Sequence, residues 1–374
     1  MAGDAEPRPL SGLLVVSVEQ AVAAPMCTLR LADAGARVIK IEPPGGETAR
    51  HYDSSVGGES AYFASLNRGK ESVCLDLTDN ADLRLLNRML ARADVFVRNT
   101  SPGAMARRGL GAADMRARYP RLIVVDVVGY GQDTEARTLK AYDMLVQAEA
   151  GLCSVTGTAD APCKVGVSIA DMGTGMNAYA AILEALIARG VHGRGAALEL
   201  AMFDTVAEWM SVPLLHREYG GKATARHGMA HASIYPYRPY PCRDGEVIVA
   251  VQNNAQWTAF CRSVLLRPEL AAAPEFASNT LRVANRAALD AAILAVTREL
   301  DVSELVARLE AAGTAYGRLT ALEDLGAHPA LRRQPVRLGE TLIAGVASPL
   351  RRSPGAPALP ALGTATEAVR REFD

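Results

Sequence analysis

No charge of one sign prevails in this chain: 40 Lys and Arg stand against 41 Asp and Glu, a formal net charge of −1. Without a summed positive field, neither nucleic acid nor an anionic membrane surface is held by charge, and any anion must be bound locally. The six cysteines, Cys27, Cys74, Cys153, Cys163, Cys242 and Cys261, are dispersed, with no CxxC pair and no zinc-type spacing. They read as buried reduced thiols. The six histidines show no HExxH or paired-ligand pattern, so no metal site is expected. No apolar run reaches the roughly 18 to 20 residues of a membrane span. The opening stretch from Met1 to Pro9 is polar and proline-broken where a signal peptide needs a basic start and an apolar run. A cytoplasmic protein with no membrane segment and no nucleic-acid partner is the reading these absences leave.

Nucleotide fingerprints are also incomplete. Gly109-Leu-Gly111 and Gly173-Thr-Gly175 each lack a third glycine at the right spacing, and neither directly follows a convincing strand. There is no P-loop and no GxSxG elbow.

What is present is ordinary globular usage, 49% hydrophobic and 22% charged over 374 residues, which suggests two domains at roughly 100 to 200 residues each. The first third alternates strand-like and helix-like runs. Leu13 to Val18 is apolar, Pro25 opens a helix that Gly35 ends, and Arg37 to Ile41 is β-branched before the Pro43-Pro-Gly-Gly46 stop. Ser72 to Leu77 alternates as a strand, and Asp79 is placed to cap a helix carrying Leu83, Leu86 and Leu90. Asp94 to Val97 and Leu122 to Val128 supply two more buried strands. This alternation predicts an α/β fold with a mostly parallel, doubly wound sheet.

Beyond Ala141 the pattern turns helical, with a helix from Met176 to Arg189 closed by Gly190, a strand within Gly193 to Leu200 and a helix from Phe203 to Met210. The Gly/Tyr/Pro-rich stretch from Gly220 to Tyr240 reads as a connection. A strand at Glu246 to Val251 and helices near Trp257 to Leu265, Ala287 to Leu300 and Val302 to Ala312 make a second domain, followed by a loop before Leu319. The Pro- and Gly-rich tail from Ser348 to Gly363 is expected to wrap over a surface. The expected division is a large domain over 1–210 completed by 326–374, a linker at 211–224, and a small α/β domain over 225–325.

One residue stands out chemically. In Val165-Gly-Val-Ser-Ile-Ala-Asp171-Met-Gly-Thr-Gly175 a carboxylate follows an apolar, strand-like run and precedes a glycine-rich turn into a long helix. Backbone N–H groups and the helix dipole favour negative charge there. Such an Asp can be nucleophile, base or simple cap, and the local pattern leaves the three open.

Several stretches taken together resemble the class III CoA-transferase family, which also holds the α-methylacyl-CoA racemases. They are Val22-Ala-Ala-Pro25-Met-Cys-Thr28 with Leu31 to Glu42, Leu66-Asn-Arg-Gly-Lys70, and Val97-Arg-Asn99-Thr-Ser-Pro-Gly103 with Arg107. Gly129-Tyr-Gly-Gln132, Gly193-Arg-Gly195 leading to Met202-Phe-Asp204, and Leu362-Gly363 also fit. The resemblance spans nearly the whole chain. It implies a Rossmann-like large domain, a smaller α/β domain and an interlocked homodimer. It also implies CoA transfer from an acyl-CoA to a carboxylic acid, with no bound cofactor and a CoA thioester as substrate. Asp171 matches the family's catalytic carboxylate, which forms a mixed anhydride and then an aspartyl-CoA thioester.

The transferase branch is favoured over the racemases residue by residue. The racemases carry a proton-transferring His where Tyr142 stands, and a Glu near the position of Asn254. Tyr142 cannot replace an imidazole near neutral pH, and Asn cannot move a proton. Asp143 matches an active-site carboxylate of some transferases, while Lys70, Asn99, Arg107 and Lys140 match positions along the CoA phosphates or ribose. Val22 stands where the formyl-CoA branch places Gln, which points away from an oxalate-specific enzyme. A small dicarboxylate such as succinate, itaconate, mesaconate or citramalate is the implied acceptor. A 2-methylacyl-CoA racemase or epimerase and a non-catalytic CoA-binding protein remain the alternatives.

Overall fold

The computed structural model describes residues 8–221, 224–350 and 355–374, so the reading of the opening residues falls mostly on 1–7, outside the described residues. By compactness the chain divides into a larger unit, Met1–Leu152, Lys164–Val212 and Arg332–Asp374, and a smaller one, Cys153–Cys163 with Pro213–Leu331.

Six strands form the centre of the larger unit: β1 (Leu14–Val18), β2 (Arg37–Glu42), β3 (Glu71–Cys74), β4 (Val95–Arg98), β5 (Ile123–Val128) and β6 (Ala197–Ala201). Their order is β3-β2-β1-β4-β5-β6 and every ladder is parallel. Val15, Val16, Ile39, Val95, Val124 and Val125 are fully buried, as expected of a parallel sheet covered on both faces. On one face α1 (Ala23–Asp33) and the later helix Ile169–His192 pack Ala24, Leu31, Ala178 and Ile182 onto Val15, Val38 and Ile123. On the other, α2 (Asn80–Arg92) brings Leu86 and Leu90 against Val16 and Ile39. The Asp79 side chain caps α2 by accepting from the Ala81 and Asp82 N–H groups.

Three further helices shape the region of interest: α3 (Asp143–Glu149), α4 (Ile169–His192) and α5 (Met202–Trp209). The sequence pattern starts α4 too late and ends it too early. The helix begins at Ile169, runs through Gly173, Gly175 and Gly190, and stops at Gly193, whose φ is +72°. No strand precedes it, because 164–168 is irregular backbone. The glycines expected to form a turn are instead packing surfaces within the helix.

The smaller unit holds an antiparallel sheet of β7 (Tyr237–Pro241), β8 (Glu246–Ala250) and β9 (Ala315–Gly317), in that order. β7 lies in the Tyr/Pro run that reads as a connection. Its prolines are tolerated because it is an edge strand, with Pro239 opposite Ile248 and Pro241 opposite Glu246. β9 likewise occupies part of the expected loop before Leu319. Trp257, Phe260, Leu289, Ile293 and Leu305 fill the core of this unit. Cys153–Cys163 joins it because Arg226 donates from Nε to the Thr158 carbonyl at 2.8 Å and Gly228 N to the Gly157 carbonyl at 2.8 Å. The expected linker at 211–224 begins with a helix, Ser211–Glu218, and its residues 222–223 lie outside the described residues.

The chain then returns to the larger unit through an antiparallel hairpin of β10 (Arg333–Leu338) and β11 (Thr341–Val346). Residues 351–354 of the expected wrapping tail lie outside the described residues. The rest of that tail is threaded into the fold. Gly69 N donates to the Ala358 carbonyl at 2.7 Å and Gly363 N to Ser72 Oγ at 2.9 Å. The closing helix Thr366–Phe373 buries Val369 and Phe373 on the α2 side of the sheet. Of the six cysteines expected to be buried, only Cys27 and Cys261 are. Cys163 is exposed, at the end of the short Cys153–Cys163 segment.

Candidate active site

The first turn of α4 leaves backbone N–H groups without helical partners, and Ser168 at its N-cap supplies no side-chain bond. Asp143 does so from the start of α3. Its Oδ1 accepts from Ala170 N at 2.8 Å and from Asp171 N at 3.3 Å, while its Oδ2 accepts from Gln147 Nε2 at 2.7 Å. Gln147 Oε1 in turn accepts from Val165 N at 2.8 Å, fixing the segment that leads into the helix. Two carboxylates, Asp143 and Asp171, are thereby held close together at one helix N-terminus.

Asp171 is half-buried. Burial first, and the negative charge of Asp143 second, push its carboxyl up from 3.8 to about 7. A carboxylate raised in this way is poorly solvated and more basic than usual, which makes it a better nucleophile or base near neutral pH. Val146, Ala170, Met202 and Val206 form the apolar cluster next to it.

The neighbouring glycines explain how the helices come together here. A Cβ at Gly173 would lie 2.1 Å from Trp209 Cη2, so that glycine admits the indole from α5. A Cβ at Gly175 would lie 2.3 Å from the Ala23 carbonyl oxygen, so that one admits the backbone of α1. Met172 packs with Val22, Met26, Leu29 and Leu66. Asp171 is thus linked through its own neighbour to the loop between β1 and α1.

That loop borders a cleft of about 400 Å³ at the carboxyl ends of β1 to β4, lined among others by Gln20, Glu42, Pro43, Leu77, Ser101 and Arg108. β1 lies between β2 and β4, where the strand order reverses, the place at which open α/β sheets hold ligands. Asn99 brackets Gln20 from the next strand end, accepting from Gln20 N at 2.9 Å and donating to its carbonyl at 2.8 Å. Ala21 has a φ of +61°, a left-handed conformation costly for a residue with a Cβ. Glu47 Oε2 holds it there by accepting from Ala21 N at 3.0 Å.

Beneath the cleft lies a buried ionic cluster. Lys70 Nζ donates to Glu19 Oε1 at 2.8 Å, Asn67 Oδ1 at 2.9 Å and the Pro25 carbonyl at 3.1 Å. Lys40 Nζ donates to Glu47 Oε1 at 3.0 Å and Asn67 Oδ1 at 3.1 Å. Burial pushes Lys70 down to about 8 against the attraction of Glu19. All three Lys70 donors are used inside the protein, so it supports the cleft floor where the family resemblance implies a phosphate contact.

The other sequence-derived candidates are scattered. Tyr142 is exposed at the N-cap of α3, and Lys140 is exposed two residues before it. Arg107 is also exposed, and the cation that lines the cleft is its neighbour Arg108. Arg108 donates from Nε to the Leu77 carbonyl at 3.1 Å and from Nη1 to the Ala104 carbonyl at 3.0 Å. Sequence reasoning also misses Gln20, Glu47 and Gln147. Only Gln147 had a local signal, its helical spacing of four from Asp143.

Comparison with known proteins gives a consistent result. The model of CoA-transferase family III matches residues 10–353. Acetyl-CoA:oxalate CoA-transferase of Acetobacter aceti is 35% identical over 98% of this chain and 96% of its own. Succinyl-CoA:glutarate CoA-transferase of Mus musculus is 33% identical over 85% and 73%, and succinyl-CoA:mesaconate CoA-transferase of Haloarcula marismortui 33% identical over 80% and 78%. Among solved structures, a CaiB/BaiF family protein from Brucella suis superposes with a TM-score of 0.83 at 32% identity, covering 99% of this chain and 100% of that one.

Proposed function

Because this chain belongs to CoA-transferase family III, we propose that it moves CoA from an acyl-CoA donor to a small dicarboxylic acid, with Asp171 as the covalent carrier. The observation that carries this reading is the half-buried Asp171 carboxyl, raised to about 7 beside Asp143 at the N-terminus of α4.

The steps follow from carboxylate chemistry. The Asp171 carboxylate attacks the thioester carbonyl, the C–S bond breaks, and a mixed anhydride and CoA thiolate result. The thiolate attacks the aspartyl carbonyl of the anhydride, releasing the donor acid as its carboxylate and leaving an aspartyl-CoA thioester. The acceptor carboxylate attacks that thioester and expels the thiolate. The thiolate then attacks the acceptor acyl carbon, which frees Asp171 and the new acyl-CoA. Desolvation of Asp171 raises its ground-state reactivity, and the α4 N-terminus favours the charge that develops nearby.

Asp143 acts as a positioning residue that fixes the helix start and tunes Asp171. The cleft at the strand ends takes the nucleotide end of CoA, with Arg108 as its cation and Asn99 holding the Gln20 loop. Tyr142 and Lys140, both exposed near Asp143 in the chain, are assigned to substrate contact. Oxalate, glutarate and mesaconate in the names of the relatives are all dicarboxylates, which supports that acceptor class. No resident cofactor is needed for these steps. A homodimer is also part of this reading, supported by Ile187 and Val191, apolar, exposed and four residues apart on α4.

The test is intact-protein mass spectrometry after incubation with succinyl-CoA, then hydroxylamine trapping and peptide mapping. The expected result is a CoA-sized adduct or a hydroxamate on the Asp171 peptide, absent from Asp171→Ala. Absence of any adduct across a panel of acyl-CoA esters that demonstrably bind would overturn the covalent reading.

A further inference from the structure

A second polar cavity, of about 330 Å³, lies in the larger unit and is lined by Arg8, Ala32, Asp33, Ala36, Arg68, Gly69, Arg337, Ala356 and Pro357. It shares no lining residue with the cleft of the candidate active site. Ala36 immediately precedes β2 and Gly69 lies two residues before β3, so the cavity sits at the amino ends of strands whose carboxyl ends border the 400 Å³ cleft. Its volume falls at the lower end of small-molecule pockets, about 300 to 1,000 Å³.

Three of its lining side chains are guanidinium groups and one is a carboxylate, Asp33. Asp33 is already engaged, accepting from Arg68 Nη2 at 2.7 Å. Arg68 is 7% exposed, and its remaining contact is a long donation from Nη1 to the Ser65 carbonyl at 3.3 Å. Its Nε is buried with no hydrogen-bond partner among the described residues. A buried cationic donor without a partner is rare in folded proteins and calls for an acceptor. Arg337 reaches the same space from β10, with Nη2 on the Ala356 carbonyl at 3.2 Å. The walls are tied by the main chain, since Arg337 N donates to the Pro357 carbonyl at 2.9 Å and Gly69 N to the Ala358 carbonyl at 2.7 Å. Three guanidinium groups and one carboxylate, the latter already paired with Arg68, leave the cavity with an excess of positive charge that suits an anion such as phosphate better than a neutral ligand.

We infer that Arg8, Arg68 and Arg337 form a second anion site that binds a phosphate group, either free or as the monoester of a small molecule, separately from the site of CoA transfer.

Isothermal titration of the full-length protein with inorganic phosphate, at low salt and with and without saturating CoA, tests this. Saturable binding that survives CoA and weakens at least tenfold in Arg337→Gln is the expected result. The same loss is expected in Arg8→Gln, which leaves the Arg68 pair with Asp33 intact and so guards against a folding defect. A monoester such as glycerol phosphate binding tighter than phosphate assigns the site to an ester, and the reverse order to the free ion. Phosphate binding that CoA abolishes, or that both variants retain at wild-type strength, overturns the inference. So does the absence of any saturable heat.

Discussion

The carboxylate of Asp143 accepts a hydrogen bond from the backbone N–H of Asp171 at 3.3 Å. One acidic side chain thus caps the helix that carries the other and at the same time raises its proton affinity.

That relationship predicts a pH effect. Below about 7 the Asp171 carboxyl takes up a proton and loses its nucleophilicity, so that one unit lower only about a tenth is ionised. Asp143→Asn keeps an acceptor oxygen for the cap and removes the charge. The acid limb of kcat/KM should therefore move to lower pH in Asp143→Asn, with a lower plateau because the nucleophile is less basic. Rate profiles from pH 5 to 9 check this, and an unmoved midpoint would refute the tuning role.

A stability effect of defined sign follows from the same group. The folded state holds the Asp171 proton up to about 7, whereas the ordinary value is 3.8. Its contribution is complete below about pH 4 and is lost as the pH rises through 7. Asp171→Asn has no charge to bury. It should abolish transfer yet be more stable than the parent by ~1–3 kcal/mol at pH 8 and equal to it at pH 4. Urea denaturation at the two pH values measures the difference.

Gly173 and Gly175 should respond differently to alanine. Gly173→Ala meets a side chain, Trp209, at 2.1 Å, and Gly175→Ala meets the Ala23 backbone oxygen at 2.3 Å. Gly173→Ala should cost ~1–3 kcal/mol, mostly recovered in combination with Trp209→Leu. Gly175→Ala should cost more, and the same partner change should not help. Denaturation midpoints of the single and double variants decide it.

The arginines at the cleft should also separate. Arg108 lines it and Arg107 does not. Loss of a charge-assisted contact of ~1.5 kcal/mol or more corresponds to about tenfold. Arg108→Gln should raise the KM for acyl-CoA about tenfold with kcat little changed, and Arg107→Gln less than about twofold. Steady-state kinetics with one donor and one acceptor suffice, and equal effects would remove Arg108 from the cleft reading.

The sheet was readable because β1, β2, β4 and β5 are short runs rich in Val and Ile, and because Asp79 caps where expected. Asp171 was readable as a chemical candidate, but its setting was not. The Val165 to Ala170 run looks like a strand by composition, yet Gln147 and Asp143 take up its N–H groups and turn it into a helix start. β7 was hidden because two prolines mask a strand unless its edge position is known. Lys70 and Arg107 carry the right charge for an anion contact. Only tertiary structure shows that Lys70 points into a buried cluster and that the register of one turn gives the cleft to Arg108.

The larger unit is completed only by Arg332–Asp374, which follows the inserted stretch Pro213–Leu331. During synthesis the strands from β1 to β6 leave the ribosome long before the helix Thr366–Phe373, which packs on β3 and α2 with Val369 and Phe373 buried. For that interval an apolar face is open to solvent or to a chaperone. A nascent chain stalled before Thr366 should therefore be protease-sensitive and prone to aggregate, even with every residue of the candidate site already made.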